Sequence, residues 1–268
     1  MSLDDKVLPR RLPDLPSFES LGRLRVWNLA AFALHAASGI VIVMIGNGLT
    51  FPVNAAPSQG PPGAANSWPV EHLFDVRVAW AAAAFAFLSA IAHLLASTVL
   101  WKRYTADLQR GINQLRWIEY ALSSTLMILL IAQLTGIFDI AALIGIAGAN
   151  IAMNLFGWAN ERHNLDRRGL LEHGASLWSF WLGCVPAIAP WAAIVTYLAL
   201  AGNAVPNFVY GIFVSLFVFF NCFAAVMLLE YRRIGPWRSV RFTEKTYIVL
   251  SFTAKLALTW QIAANVLL

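Results

Sequence analysis

Seven long apolar stretches alternate with short polar connections along the chain. Each stretch holds about 20 residues, which is the length that an α-helix needs to cross the hydrocarbon of a bilayer. The stretches lie near residues 26–49, 78–101, 115–137, 140–159, 175–200, 207–230 and 246–267. The pattern predicts an all-α membrane protein in which a seven-helix bundle, residues 26–268, follows an N-terminal tail, residues 1–25.

The amino-acid composition excludes a water-soluble domain. Hydrophobic residues make up 59% of the 268 positions and charged residues only 12%, whereas about 25% of the residues of an average soluble domain are charged. The mean hydropathy of +0.64 agrees. The formal net charge of +5 does not indicate a nucleic-acid partner, because the positive charges lie in short connections and not on one face of a soluble module. The expected surroundings are a lipid bilayer.

The longest connection, residues 50–77, contains five prolines and two glycines. Proline removes a backbone donor and interrupts helices, so we expect this connection to lie outside the hydrocarbon. Two interpretations of such a long connection stay open at this point. It is either a functional or interaction surface, or a flexible spacer.

Positive residues are distributed very unevenly between the two sides of the predicted bundle. Positive charges in short loops are retained in the cytoplasm, which makes their distribution a topology signal. The tail and the second, fourth and sixth connections hold 17 of the 19 Lys and Arg residues, whereas the first, third and fifth hold only Arg77. We therefore predict a multi-pass protein of the cell membrane with a cytoplasmic N-terminus, an extracellular C-terminus and an extracellular connection 50–77.

The one remaining cation, Lys255, lies near the middle of the seventh stretch. A lone ammonium at the bilayer centre costs about 2.5–3.5 kcal/mol on insertion scales, so we expect a partner on another helix. Glu119 in the third stretch is the leading candidate. One interpretation is a structural salt bridge between the two, or pairing of Glu119 with Arg116 instead. In the other interpretation the Lys255 amine forms a Schiff base with an aldehyde, and Glu119 is its counterion.

Two sequence segments resemble the heliorhodopsins, a family of microbial rhodopsin-like proteins. The segments are WIEYALSS at 117–124 and SFTAKLALTWQ at 251–261, and the inverted orientation agrees with them. The resemblance implies that Lys255 binds all-trans retinal covalently and that Glu119 is the Schiff-base counterion. It also implies a homodimer with the first connection at its interface. Further implied site residues are His35, Ser89, His93, Ser123, Ser124, Asn154, Ser251 and Trp260.

Aromatic residues of the fifth to seventh stretches are candidates for the lining of a polyene pocket, because apolar ligand sites are lined mostly by such side chains. Packing against lipid explains any one of them equally well. The candidates are Phe180, Trp181, Phe219, Phe220, Phe223 and Trp260. His35 and His93 are predicted at similar depth in neighbouring helices, where they form either a polar cluster that takes up the Schiff-base proton or an interhelical hydrogen bond.

The position one turn before Lys255 bears on the function. Pumping rhodopsins have a second carboxylate there, and this chain has Ser251. With Glu119 as the single acid in the third stretch and no buried acid expected on either side, a directional proton relay is difficult to build. We therefore expect a light-sensing photoreceptor that signals to an unknown cytoplasmic partner.

Two other classes of function remain. A light-driven or light-gated ion transporter would use the same chromophore. A non-retinal transporter would use Lys255 and Glu119 as a substrate site or a packing bridge. An enzyme is not expected, because the sequence has no cluster of metal ligands and no nucleophile with a base in the apolar stretches.

Overall fold

The computed structural model describes residues 18–64, 67–165 and 174–268. Within these ranges seven helices are long and apolar enough to span a membrane, and this confirms the predicted seven-helix all-α fold. The elements are α1 (Phe18–Ile45), β1 (Thr50–Ala55), β2 (Glu71–Arg77), α2 (Val78–Ser97), α3 (Trp101–Gln109), α4 (Gln114–Leu134), α5 (Ile140–His163), α6 (Trp178–Ala201), α7 (Asn207–Tyr231) and α8 (Val240–Ile262). A π-helical turn, Ala263–Leu267, continues α8.

Helix α1 begins at Phe18, well before the predicted start at residue 26. Its first turns are helical because they bury apolar residues: Leu21 and Leu24 pack with Tyr104 and Leu108 of α3. The last part of the predicted tail, from residue 18, is therefore helical, and the division at residue 25 stays a prediction. The rest of that tail lies outside the described residues.

The connection 50–77 contains a β-hairpin. Strands β1 and β2 pair antiparallel, with Thr50 opposite Arg77 and a register shift between Val53 and Asn54. The hairpin is tied to the bundle, because the Asn54 N–H donates to the Phe138 carbonyl oxygen over 2.9 Å. The end of the bundle that carries it is called the hairpin end below, and this part of the connection is not a free spacer.

The opposite end of the bundle carries α3 and is called the α3 end. This nine-residue helix lies in the connection between α2 and α4, where no helix was predicted. It buries Tyr104, Thr105 and Leu108 and exposes Lys102 and Arg103. A search for apolar stretches misses it because only one face is apolar.

Glycines allow several helices to approach each other closely. At Gly157 of α5 a Cβ atom would overlap the indole ring of Trp117 on α4. At Gly39 of α1 it would lie 2.8 Å from the ring of Phe87 on α2. Small residues at such contacts drive helix association in membranes, where no hydrophobic effect acts between helices.

We expect Gly157→Ala to destabilise the bundle by about 1–3 kcal/mol, because the added methyl must push α4 and α5 apart. Gly145→Ala is the matched control on the same helix, since nothing lies within 4 Å of the added methyl. Unfolding in detergent with increasing SDS measures both variants. Equal stability of the two would contradict the close α4–α5 packing.

Candidate functional site

A buried ion pair lies in the middle of the bundle. The Lys255 Nζ of α8 lies 2.6 Å from the Glu119 Oε1 of α4, and the two residues are only 3% and 7% exposed. The predicted partnership is therefore present in the structure. The alternative pairing of Glu119 with Arg116 is wrong, because Arg116 binds two other carboxylates.

Two serine hydroxyls complete the surroundings of this pair. Lys255 Nζ donates to the Ser251 Oγ over 2.8 Å, one turn earlier on the same face of α8. The Ser89 Oγ of α2 donates to Glu119 Oε1 over 2.6 Å. Ser123, one turn after Glu119, is fully buried, and its hydroxyl has no hydrogen-bond partner among the described residues. Three helices therefore supply charges and dipoles to one point, where they replace the water that the bilayer excludes.

The two predicted histidines form a stacked pair beside this site. The rings of His35 and His93 are nearly parallel, with centroids 5.7 Å apart. His93 Nδ1 lies 2.8 Å from the Asn28 Oδ1 of α1. Neither ring nitrogen of His35 has a hydrogen-bond partner among the residues that the structure describes. The polar cluster predicted from the sequence is present, and its role in proton uptake stays a prediction.

Ser124 and Asn154 lie apart from the ion pair, between α4 and α5. The Ser124 Oγ accepts from Asn150 Nδ2 over 2.8 Å and from Asn154 Nδ2 over 3.2 Å. Ser124 follows Glu119 by five residues, which turns its side chain to a different face of the helix. These residues join α4 to α5, and the structure does not bring them to the carboxylate. Asn150 was not predicted.

The aromatic residues nearest to Lys255 come from α4 and α7. Lys255 Nζ lies 5.4 Å from the ring centre of Tyr120, and that ring meets Phe223 edge to face at 5.1 Å. Phe220 is partly buried and meets Trp191 of α6 edge to face at 5.4 Å. An apolar, aromatic zone therefore adjoins the buried amine. The chemistry of a buried amine next to aromatic side chains suits a hydrophobic aldehyde such as retinal, which Lys255 would hold.

Two of the aromatic candidates face outward and do not line the interior. Trp260 is 44% exposed and Trp181 is 53% exposed. Trp260 follows Lys255 by five residues, which places the two side chains on different faces of α8. The expectation that Trp260 lines the retinal pocket is therefore wrong for its position in this structure, and the same holds for Trp181.

A second buried ion cluster lies at the α3 end and was not predicted. Arg116 of α4 binds Glu161 of α5 through Nη2, and its Nη1 donates to the Glu244 Oε2 of α8 over 2.7 Å. All three are at most 9% exposed. We call these residues the Arg116 cluster. The expectation that no buried acid flanks the Glu119 site is wrong, because Glu161 and Glu244 are both inside the bundle.

Polar groups of α3 and of the turn before α4 bind the same cluster. The Tyr104 hydroxyl donates to Glu244 Oε1 over 3.0 Å, and Asn113 Nδ2 donates to the same oxygen over 2.7 Å. Burial, and then the Glu244 carboxylate, raise the pKa of Tyr104 well above its usual range. The phenol therefore stays protonated and acts as a donor. Glu161 and Glu244 could have been noticed in the sequence as rare acids at the basic ends of their stretches.

A small cavity with several polar and charged residues in its wall lies between the ion pair and the Arg116 cluster. Its volume is about 30 Å³, enough for about two water molecules. Glu119 and Ser251 line it on one side, and Tyr104 and Glu244 line it on the other, with His93 also in its wall. The two charged sites are therefore neighbours across a shared polar space.

Comparison with known proteins identifies relatives at two levels. The sequence matches the heliorhodopsin family over residues 24–267. No curated protein matches it. The match covers all seven apolar helices from Leu24 onward, including Glu119 and Lys255.

Solved structures with the same architecture are rhodopsins at low sequence identity. The light-driven proton pump rhodopsin of Coccomyxa subellipsoidea has a TM-score of 0.61 and 17% identity, covering 90% of this chain and 96% of that chain. The transmembrane domain of the Salpingoeca rosetta rhodopsin phosphodiesterase has a TM-score of 0.64 and 11% identity, covering 92% and 85%. Cyanorhodopsin from Tolypothrix sp. NIES-4075 has a TM-score of 0.61 and 12% identity, covering 91% and 94%. At this identity the likeness establishes the fold alone.

Proposed function

This chain belongs to the heliorhodopsin family, a family of retinal-binding membrane proteins of photoreceptor type, and on that premise we propose that it is a light sensor. Lys255 holds all-trans retinal as a Schiff base, and Glu119 is the counterion. The observation that carries the proposal is the buried ion pair, in which Lys255 Nζ lies 2.6 Å from Glu119 Oε1. A buried amine with a single carboxylate partner is rare in a membrane and is normally functional.

Each residue of the site has a separate task in this proposal. Retinal, when bound, supplies absorption of visible light and a change of shape on illumination. Glu119 keeps the nitrogen of Lys255 protonated, because it places a negative charge next to it in a medium of low dielectric. Ser89 and Ser251 orient the carboxylate and the nitrogen. Tyr120 and Phe223 keep water away from the apolar side.

Signalling is favoured over transport because the buried charged groups of the described residues continue from the ion pair in one direction only. From Glu119 the cavity leads to Glu244 at the α3 end. Toward the hairpin end the interior is filled by the apolar core of α1, α2, α4 and α8. No buried charged residue lies between Lys255 and the hairpin among the described residues. A proton that leaves the site therefore has no charged relay across the whole bundle.

A light-driven or light-gated transporter is the second candidate. The Arg116 cluster favours it, since buried acids on the α3 side are what a relay from Glu119 needs on that side.

The proposed topology places the α3 end in the cytoplasm and the hairpin outside. Exposed basic residues at the α3 end include Lys102, Arg103 and Arg241, whereas Arg77 is at the hairpin end. The positive-inside rule then gives a cytoplasmic N-terminus. The homodimer and the cytoplasmic signalling partner stay predictions.

We expect Lys255→Ala to abolish visible absorption after all-trans retinal is added to the purified protein, because no other buried amine is available among the described residues. Lys245→Ala on the same helix is the matched control, since Lys245 is exposed and its loss leaves the pigment intact. Absorption spectra measure both. A coloured Lys255→Ala variant would refute the attachment, and a wild type that stays colourless would favour a non-retinal transporter.

Glu119→Gln removes the counterion charge and leaves the size of the side chain unchanged. We expect the absorption maximum to move to longer wavelength, or the chromophore to lose its proton, because the positive nitrogen loses its nearest negative charge. Glu71→Gln on the exposed hairpin is the control. An unaltered spectrum in the Glu119 variant would contradict the counterion role.

Illumination of cells that contain the retinal-loaded protein should give no sustained pH change of the medium that a protonophore abolishes. The same cells report the orientation, because an N-terminal epitope should survive protease added outside and be lost after lysis. A sustained light-driven pH change would favour the transporter. Loss of the N-terminal epitope in intact cells would show that the orientation is opposite to the proposed one.

A further inference from the structure

Helices α4 and α8 each carry one buried cation and one buried carboxylate, in opposite order along the chain. Helix α4 carries a cation, Arg116, one turn before the carboxylate Glu119. Helix α8 carries the carboxylate Glu244 three turns before the cation Lys255. Together with Glu161 these side chains are two cations and three carboxylates, all buried. Buried charge of one sign in excess is costly in a membrane, so the group has a capacity for one additional proton.

The Arg116 cluster is where the excess negative charge lies. Arg116 is a single cation between two carboxylates, whereas Glu119 has a cation of its own. Of the two carboxylates only Glu244 lines the cavity. The carboxylate of the cluster that a proton from the cavity can reach is therefore Glu244.

Three residues in the wall of the cavity each have a buried polar atom without a partner among the described residues. The His93 Nε2, Arg116 Nε and Tyr247 hydroxyl are buried and have no hydrogen-bond partner among the described residues. All three residues line the cavity. Buried polar groups are normally satisfied by protein or by water, and this cavity has both the volume and the polar partners that water needs. Water molecules here would lie within reach of Glu119 and of Glu244.

A chain of fixed hydrogen bonds runs in the same direction along the cavity wall. His93 Nδ1 contacts the Asn28 side chain, the Asn28 Nδ2 donates to the Tyr104 hydroxyl over 3.3 Å, and that hydroxyl donates to Glu244. One Asn28 N–H and the Tyr104 O–H therefore point toward the carboxylate, and the other Asn28 N–H donates to the Leu24 carbonyl oxygen. Glu244 is therefore the acceptor at the end of this hydrogen-bond chain along the cavity wall.

We propose that Glu244, held by Arg116 and Tyr104, is the terminal acceptor of the proton released at Lys255. The inference rests on the proposed function, and it adds the group that finally takes up the proton. The proton leaves the Nζ of Lys255 and neutralises Glu119. Glu119 then releases a proton to cavity water, and the water delivers one to Glu244. At the end Glu119 is again a carboxylate, the nitrogen is neutral, and Glu244 is a neutral acid.

Arrival of the proton changes the contacts at the α3 end. A neutral Glu244 no longer attracts the Arg116 guanidinium, which keeps Glu161 as its ionic partner. The link from α4 to the first turns of α8 is then weakened, while the link from α4 to α5 is retained. The proton would thus convert a chemical event at the centre of the bundle into a movement of α8 at one surface.

Light-induced infrared difference spectroscopy on the retinal-loaded protein in lipid tests the proposal. We expect a carboxylic-acid C=O band to appear after the chromophore loses its proton, and to be lost in Glu244→Gln. Asp107→Asn is the matched control, because Asp107 is buried at the same end and does not line the cavity. Tyr104→Phe should delay the band, whereas Tyr210→Phe, at the hairpin end, should not.

A second measurement uses the retinal-free protein. Infrared spectra recorded through a pH titration should contain a carboxyl band that Glu244→Gln removes. The midpoint of that band should move in Tyr104→Phe and stay unchanged in Tyr210→Phe. This readout is independent of the pigment, and it also shows that the variants are folded.

The outcomes separate this inference from the proposed function. A coloured, photocycling wild type whose light-induced band persists in Glu244→Gln, or that shows no such band, would overturn the role of Glu244 and leave the photoreceptor intact. A retinal-free protein in which Glu244→Gln removes no titrating band would overturn it as well. A colourless wild type would refute the proposed function, and the inference with it.

Discussion

The buried pair of Lys255 and Glu119 is the constraint on which the interior of this protein depends. Two opposite charges 2.6 Å apart attract each other strongly in a medium of low dielectric, but each has lost its hydration. The lost hydration must be replaced by protein dipoles, and the Ser89 and Ser251 hydroxyls supply them from α2 and α8. The pair therefore requires α2, α4 and α8 to converge at one depth.

The same argument explains why a second ion cluster lies at the α3 end. Arg116 is one turn from Glu119 on α4, so any rotation of that helix that places Glu119 inside brings Arg116 toward the interior as well. A guanidinium cannot be left there without partners. Glu161 and Glu244 supply the charges, and Asn113 and Tyr104 bind the remaining carboxylate oxygens. The short helix α3 is part of this arrangement, because it carries Tyr104 into the cluster.

The sequence predicted those features that have a local signal in it. The length of the apolar stretches predicted the seven spans, and the presence of a lone charge in an apolar stretch predicted the partnership of Lys255 with Glu119. The Arg116 cluster was missed because Arg116 and Glu244 lie at the ends of apolar stretches, where charged residues are usually hydrated. The hairpin and α3 were missed because a proline-rich connection and a nine-residue amphipathic helix have no long apolar signal. The outward position of Trp260 follows from the rotation of α8, which only tertiary contacts determine.

The buried charged groups are distributed unevenly along the bundle axis. A bundle that moves protons across the membrane needs protonatable groups on both sides of its central amine. Here the cavity, the stacked histidines and the Arg116 cluster lie on the α3 side of Lys255, and no buried charged residue of the described chain lies on the hairpin side. Charge that moves inside such a protein stays near one surface. Under the proposed function, the energy of the event would be available for altering the contacts of α4 with α8 at that surface.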